Sequence, residues 1–249
     1  MTYPLFYSPQ VTKAAVNSLV TLDTATSGHA IRSQRLKAND AVLVSDGVGA
    51  LAEGTIELAD AQHTTVRVQH VAVQQPPRVR VNLVQALAKG DRDLLAVEMA
   101  TELGVDTVTP WQAQRSIVRI RSDRAEKMLG KWQAKVRAAA QQSRRAIIPT
   151  VHEPLAGSQV ANLHNPMQGH HVFVLHEDGA SNITAAVETL SQANTVHIVV
   201  GPEGGVAPEE LRAIEDAGGI AVKIGTNILR ASTAGPVALT LLNQLFERW

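Results

Sequence analysis

Short apolar and β-branched runs alternate with longer segments of helical periodicity along most of this chain. The apolar runs predict strands at residues 79–86, 105–110, 172–175, 196–200 and 220–224. Helical spacing predicts helices at residues 91–103, 123–143, 183–190, 208–217 and 233–248. Alternation of strands and helices is typical of an α/β fold with a largely parallel sheet.

The first 73 residues follow a different pattern, in which short β segments are separated by turns. An apolar run at 41–44 precedes a glycine-bearing turn, and apolar positions alternate with polar ones over 64–73. The segment Gln74–Pro77 has the composition of a short, stiff linker. The pattern therefore predicts two domains, residues 1–73 and residues 78–249.

Two glycine-bearing loops near the carboxyl terminus each follow a predicted strand and lead into a predicted helix. They read Gly-Pro-Glu-Gly-Gly-Val-Ala-Pro from Gly201 and Gly-Thr-Asn-Ile-Leu-Arg-Ala-Ser-Thr-Ala-Gly from Gly225. Loops at the carboxyl ends of strands line the ligand crevice of α/β sheets. Neither loop has the spacing of a phosphate loop or a dinucleotide fingerprint. The loops predict close backbone approach to a neutral or cationic ligand, or else plain turns whose glycines have positive φ.

These loops carry a resemblance to a known family. The segments 199–206 and 224–234 resemble the SPOUT-class RNA methyltransferases, and most of all the 16S ribosomal RNA uracil-N3 methyltransferase family (RsmE-type). The likeness extends to residues 29–36, 100–105, 115–118 and 175–177. This sequence departs from the family's usual motifs at Thr226, Asn227, Ala231 and Ser232, and at Gln142-Ser143-Arg144-Arg145.

The resemblance implies a PUA-like β-barrel over the first domain and a SPOUT domain with a deep trefoil knot over the second. In that knot, the loops at 175–179, 200–205 and 224–234 would converge around S-adenosylmethionine. The cofactor-binding residues implied in this way are Leu175, His176, Glu177, Val200, Gly201, Gly204, Gly205, Ile224, Gly225, Leu229, Ala231 and Thr233.

The implied activity is S-adenosylmethionine-dependent methylation of N3 of a specific uridine in 16S ribosomal RNA. Two alternatives stay open. One is another SPOUT enzyme that methylates a ribose 2′-hydroxyl or another base in ribosomal or transfer RNA. The other is a non-catalytic RNA-binding module. Cofactor binding separates the module from both enzymes, and mapping the methylated atom separates the enzymes.

Two side chains of the glycine loops are candidates for the chemistry of methyl transfer. Uracil N3 must lose its proton, and negative charge then develops on the ring. Arg230 is the first candidate to stabilise that charge, unless it forms a structural ion pair with a carboxylate such as Glu203. Glu203 is a candidate base, or a residue that only fixes the loop. His176 is of a residue type suited to proton transfer, although backbone contacts alone would also explain its place.

Composition excludes several other classes of protein. Hydrophobic residues make up 45% and charged residues 18%, which is typical of a globular rather than a disordered chain. No apolar run reaches the roughly 18 residues that a membrane span needs, and the amino terminus does not read as a signal peptide. The absence of cysteine excludes disulfides and thiolate metal sites. We therefore expect a cytoplasmic protein that uses no metal, since the nine histidines show no metal-binding spacing either.

The formal net charge is zero, but its distribution along the chain is uneven. Residues 74–150 carry fourteen Lys or Arg against seven Asp or Glu, whereas residues 151–249 carry four against ten. Such a basic segment is typical of a surface that faces a polyanion, with a solvated helix face as the alternative. Residues 29–37 are expected to form a helix with two arginines on one face. The predicted RNA-binding residues are Arg32, Arg35, Arg115, Arg119, Arg121, Lys135 and Arg144.

The last predicted helix carries an apolar stripe. Its members are Ala238, Leu241, Leu242, Leu245 and Trp249. Such a stripe either covers the sheet or forms an interface with another chain. The resemblance favours the second reading, because SPOUT enzymes commonly build their site across a homodimer.

Overall fold

The computed structural model describes residues 3–120, 124–190 and 192–249, which form two compact units. The first unit contains the described residues up to Pro76 and the segment Ala140–Ile148; the second contains the rest. The break at Pro76 falls within the segment that sequence composition marks as a linker. The assignment of residues 140–148 to the second domain is wrong, because this segment packs with the first unit.

The first unit is built on a five-stranded sheet. Its elements are β1 (Leu5–Tyr7), β2 (Leu19–Thr21), α1 (Thr24–Gly28), β3 (Ala41–Ser45), β4 (Ala50–Leu58) and β5 (Thr65–Val73). The strand order is β1-β3-β4-β5-β2, with β1 parallel to β3 and the other pairs antiparallel. Alternate side chains such as Val66 and Val68 enter one core with Phe6, as the period of two along a strand requires.

The segment 140–148 joins this unit through specific hydrogen bonds. Tyr7 Oη donates to the carbonyl of Arg145 at 2.8 Å, and Ser45 Oγ donates to that of Ala146 at 2.7 Å. Ile147 also forms a bridge with Gly47. These partners lie about a hundred positions apart in the chain, so no local pattern could predict the pairing.

The helix predicted over residues 29–37 ends earlier than expected. After α1, the helical backbone continues only through His29–Ser33, as one π-helical turn. Arg35 has a left-handed backbone with φ of 57°, which ends a helix. The expectation that Arg32 and Arg35 share a helical face is therefore wrong, although both side chains are exposed.

The second unit alternates strands and helices around a parallel sheet. Its elements are β6 (Arg80–Ala86), α2 (Arg92–Glu102), β7 (Thr107–Gln112), α3 (Ala125–Gln142, whose last residues belong to the first unit), β8 (Thr150–Val151), β9 (Leu155–Ala156), β10 (His170–Leu175), β11 (Ser181–Asn182), α4 (Ile183–Glu188), β12 (Thr195–Val200), α5 (Pro208–Asp216), β13 (Ile220–Lys223) and α6 (Ala231–Leu245). The predicted α/β fold is thereby confirmed.

The strand order of this sheet decides where its loops meet. The order is β11-β13-β10-β12-β6-β7-β8, with β9 paired to β7, and every pair is parallel. The late strand β13 lies beside β10 rather than beside β12, its predecessor in the chain. Since parallel strands end at one edge, the loops after β10, β12 and β13 all start from adjacent strands.

Helix α6 packs directly on this sheet. A Cβ atom at Gly235 would lie 2.7 Å from Leu83 Cδ1, so only glycine allows the helix this close. Ala238 and Leu242 of the apolar stripe are buried, whereas Trp249 is 68% exposed. The stripe thus covers the sheet in part. None of the described helices is long and apolar enough to cross a membrane.

Candidate active site

The loops that follow β10, β12 and β13 enclose a cavity of about 570 Å³ in the second unit. Of the twelve residues expected to hold a cofactor, only Thr233 is not part of its wall. The others line it: Leu175, His176, Glu177, Val200, Gly201, Gly204, Gly205, Ile224, Gly225, Leu229 and Ala231. Both candidates for the chemistry, Glu203 and Arg230, also line it.

The glycines of the first loop serve the loop's own conformation. A Cβ atom at Gly201 would lie 2.8 Å from Val206 Cγ2, and one at Gly204 would lie 3.3 Å from Arg115 Cβ. Gly205 has φ of 74° and donates its N–H to Pro202 in a tight turn. The turn and its neighbours are therefore enough to require glycine at Gly201 and Gly205 and to disfavour a side chain at Gly204.

The second loop is different, because its backbone is open to a ligand. A Cβ atom at Gly225 would meet no atom within 4 Å. Within the described part of the chain, residues 225–229 make no hydrogen bond to another backbone group. Residues 225–228 are exposed, so their backbone donors and acceptors face solvent. They are therefore available to a molecule in the cavity.

The charged side chains of the cavity differ in what they contact. Arg230 precedes α6 as its N-cap, is exposed, and makes no ion pair or side-chain hydrogen bond with any described residue. Glu203 instead pairs with Arg92, whose Nη1 lies 3.3 Å from Glu203 Oε1. The alternative of an Arg230–Glu203 ion pair is therefore wrong.

Sequence reasoning missed Arg92. It begins α2, which follows the carboxyl end of β6, and β6 neighbours β12 in the sheet. Loops at the carboxyl ends of parallel strands line the ligand crevice, and this holds for the loop after β6 as well. That loop could therefore have been predicted from its position, although it contains no glycine motif like those after β12 and β13.

A buried carboxylate ties the loop that contains Arg115 to the start of α5. Glu210 is almost fully buried; its Oε1 accepts the N–H of Gln114 at 2.7 Å and its Oε2 that of Ala207 at 3.2 Å. Arg115 Nη1 in turn donates to the carbonyl of Gly204 at 3.1 Å. The first glycine loop is thus held by the segment that follows β7, two strands away from β12 in the sheet.

The chain matches the family model of an RNA methyltransferase domain over residues 74–243. It is 40% identical to ribosomal RNA small subunit methyltransferase E of Mycobacterium bovis, over 89% of this chain and 84% of that protein. The chain belongs to the ribosomal RNA small subunit methyltransferase E family. The Synechocystis member of this family is 30% identical, over 99% of this chain and 79% of that protein.

Solved structures agree with this membership. Ribosomal RNA small subunit methyltransferase E of Neisseria gonorrhoeae, bound to S-adenosylmethionine, is 26% identical with a TM-score of 0.84, and 98% of each chain is covered. A protein from Legionella pneumophila has the same TM-score at 24% identity and supports the fold alone.

The RNA-binding residues expected from the sequence occupy several places. Among those that the structure describes, Arg115 alone lines the cavity. Arg119 is exposed and donates to the carbonyl of Gln114, Lys135 forms an ion pair with Glu98 at 2.8 Å, and Arg144 is exposed with φ of 59°. Arg32 and Arg35 lie in the first unit, and Arg121 falls outside the described residues.

Histidines cluster near the amino ends of the parallel strands, away from this cavity. His197 is 5% exposed and contacts His170 across a nitrogen–nitrogen distance of 3.3 Å. Burial, with smaller contributions from His170, His152, His164 and His171, lowers the pKa of His197 from 6.5 to about 3. Among the residues described, no three or more His, Asp or Glu side chains are placed to hold a metal.

Proposed function

We propose that this protein uses S-adenosylmethionine to methylate N3 of a specific uridine in 16S ribosomal RNA. The observation that carries the proposal is the meeting of three strand-end loops around one cavity, in a chain 40% identical to a ribosomal RNA small subunit methyltransferase E. The choice of uracil N3 rests on the motifs of the glycine loops. We further propose that the enzyme works in the cytoplasm, on the ribosomal RNA or the assembling small subunit.

The cavity fits S-adenosylmethionine in size and lining. Its volume of about 570 Å³ is within the range of roughly 300–1,000 Å³ typical of small-molecule sites. Leu175, Val222 and Leu229 offer apolar walls for an adenosine group. The open backbone of residues 225–229 supplies donors and acceptors for its polar edges. When bound, the cofactor supplies an electrophilic methyl group on a sulfonium.

The proposed chemistry assigns one task to each of two side chains. Glu203 accepts the proton from uracil N3, and N3 then attacks the methyl carbon with its lone pair. Arg230 stabilises the negative charge that develops on the ring before the bond to carbon forms. Its freedom from other partners among the described residues suits this task, because no existing ion pair has to break. Neither step requires a metal.

The knot and the PUA-like character of the first unit belong to the proposal. The position of β13 beside β10 and the return of α6 over β6 and β12 support a knotted path. The first unit's curled five-stranded sheet supports a PUA-like barrel. On this view Arg32 and Arg35 help to position the RNA, while Arg115, Arg119, Arg121, Lys135 and Arg144 attract it.

A homodimer is also proposed. A groove of about 470 Å³ runs between α4 and α6, with Ile183 and Leu241 in its wall. Ile224 lines both this groove and the main cavity. A second copy seated in the groove would therefore adjoin the cofactor. Light scattering at micromolar protein tests this part, and a monomeric mass would contradict it.

Methylation in vitro tests the function. Small subunits from cells that lack the gene are incubated with pure protein and radiolabelled S-adenosylmethionine, and the product nucleoside is identified by mass spectrometry. We expect one 3-methyluridine per 16S RNA. A 2′-O-methyl product would instead assign the chain a different reaction, and absence of cofactor binding in calorimetry would refute the enzyme assignment.

A further inference from the structure

One arginine of the cavity wall has no part in the function proposed above. Arg92 begins α2, and its side chain lines the cavity. The two residues before it, Gly90 and Asp91, have left-handed backbones with φ of 64° and 55°. Aspartate adopts this conformation more readily than most non-glycine residues do. The two residues form the turn from which α2, and with it Arg92, begins.

A buried carboxylate closes the same turn. Asp93 is 8% exposed, and its Oδ1 accepts the N–H of Leu94 at 2.9 Å. Burial raises the pKa of Asp93, while hydrogen bonds from the backbone of Leu94 and Ala88 oppose that rise. These bonds fix the backbone on both sides of Arg92. Its side chain thus approaches the cavity from an ordered turn.

The only ion pair of Arg92 among the described residues is weak. Its Nη1 lies 3.3 Å from Glu203 Oε1 in a single contact, and the two side chains are 42% and 29% exposed. The pair of Arg67 and Glu57 in the first unit, by comparison, is bidentate. An exposed, single-contact pair contributes little and exchanges readily with another anion.

The charges around the cavity favour an anion at Arg92. Arg92 shares the wall with Arg115, Lys223 and Arg230, whereas Glu177 and Glu203 are the carboxylates there. A guanidinium binds a phosphate through two parallel N–H bonds, a better match than its present contact. When a target base enters the cavity, its own phosphodiesters must pass the exposed side chains at the mouth.

We propose that the Arg92–Glu203 ion pair is a latch, which a phosphodiester of the bound RNA opens by taking the place of the Glu203 carboxylate on Arg92. This inference rests on the proposed function. Once displaced, Glu203 keeps its place in the cavity wall with a free carboxylate. The proton of uracil N3 then passes to Glu203, the N3 lone pair forms the bond to the methyl carbon, and the carbon–sulfur bonding pair stays on sulfur.

A double-mutant cycle on RNA binding tests the latch. Filter binding of a 16S RNA fragment that contains the target uridine is measured for the parent, Arg92→Ala, Glu203→Gln and the double variant. We expect Arg92→Ala to weaken binding about tenfold and to lower the salt slope by about one. Glu203→Gln should tighten binding about threefold, because Arg92 is then unpaired. The double variant should bind like Arg92→Ala alone.

A second carboxylate provides the matched control. Glu177→Gln removes the same charge from the same cavity wall, so any tightening it causes should be equal with and without Arg92. Additive effects of Arg92→Ala and Glu203→Gln would overturn the latch, as would unchanged RNA binding by Arg92→Ala. Since the pair is exposed, all variants should melt within about 2 °C of the parent.

Two further measurements are needed. The first distinguishes an RNA phosphate from the cofactor's carboxylate as the anion on Arg92, and the second distinguishes failure of the latch from failure of the proposed function. Calorimetry compares S-adenosylmethionine with 5′-methylthioadenosine, which lacks the carboxylate. If Arg92→Ala weakens only the former and leaves RNA binding intact, the anion is the cofactor's carboxylate and the latch is refuted. Single-turnover methylation at saturating RNA should fall much further in Glu203→Gln than in Arg92→Ala. A parent protein that binds RNA without methylating it refutes the proposed function, while the binding cycle still decides the latch.

Discussion

His197 should make the second unit sensitive to acid. Asn82 accepts from Thr109 Oγ1 through its Oδ1, so its Nδ2 faces His197 Nδ1 and donates at 2.9 Å. His197 Nδ1 is therefore an acceptor, and its proton lies on Nε2, towards Nδ1 of His170. A second proton on this ring would turn the Asn82 contact into a clash of two donors. Replacing His197 by glutamine removes the group that must titrate.

The size of the effect follows from the lowered pKa. The pKa of His197 falls from 6.5 to about 3 on folding. As the pH falls below 6.5, the unfolded chain takes up a proton that the folded chain refuses until about pH 3, so the free energy of unfolding drops across this window. At pH 5 the loss from this one group is about 2 kcal/mol. The lowered pKa of His164 also reduces the free energy of unfolding at low pH, and it does so in both the parent and the His197→Gln variant.

Urea unfolding followed by tryptophan fluorescence measures the loss. The three tryptophans, Trp111, Trp132 and Trp249, all lie in the second unit, so the signal reports on the unit that holds His197. Between pH 7.5 and pH 5, His197→Gln should lose about 2 kcal/mol less than the parent. His63→Gln, at an exposed position of the first unit, should lose as much as the parent. If His197→Gln loses as much as the parent, the reasoning about this ring is wrong.

Three further outcomes are expected. Arg230→Ala should bind S-adenosylmethionine within threefold of the parent but slow single-turnover methylation about 100-fold, whereas Arg212→Ala, on the exposed face of α5, should do neither; equal rates would refute the role of Arg230. Gly225→Val should fold normally and lose cofactor binding in calorimetry while Gly225→Ala keeps most of it, and tight binding by the valine variant would contradict the assigned cofactor position. Arg248→Met should lower the free energy of unfolding by about 3 kcal/mol, because it leaves the largely enclosed Asp106 carboxylate without its 2.7 Å ion pair; a loss as small as that of Arg212→Met would show the pair to be dispensable.

The sequence was informative where local pattern and local structure coincide. Strand ends followed by glycine and then by a helical pattern marked two of the three loops around the cavity, and the family motifs marked the third. What the pattern could not show was why the glycines are there. A side chain at Gly201 would collide with Val206, and one at Gly204 would crowd Arg115. These contacts exist only in the folded loop.

Other features depend on partners far away in the chain. Arg92 forms an ion pair with Glu203, which lies more than a hundred residues later in the chain. Residues 140–148 pack with strands of the first unit, which are equally distant in sequence. Charge counts also misled in part, because Lys135 in the basic segment is neutralised by Glu98. At Arg35, a single left-handed residue ended a helix that the residue types alone would have continued.

The pairing of residues 140–148 with the first unit sets an order of events during synthesis. When the chain has grown as far as Pro76, the ribosome has delivered the strands of that unit but not the segment that accepts from Tyr7 and Ser45. The hydrogen bonds of those two hydroxyls can form only after the segment that ends at Ile148 has left the exit tunnel. By then β6, α2 and β7 have already emerged. The amino-terminal unit is thus begun first but completed only after much of its neighbour has been made.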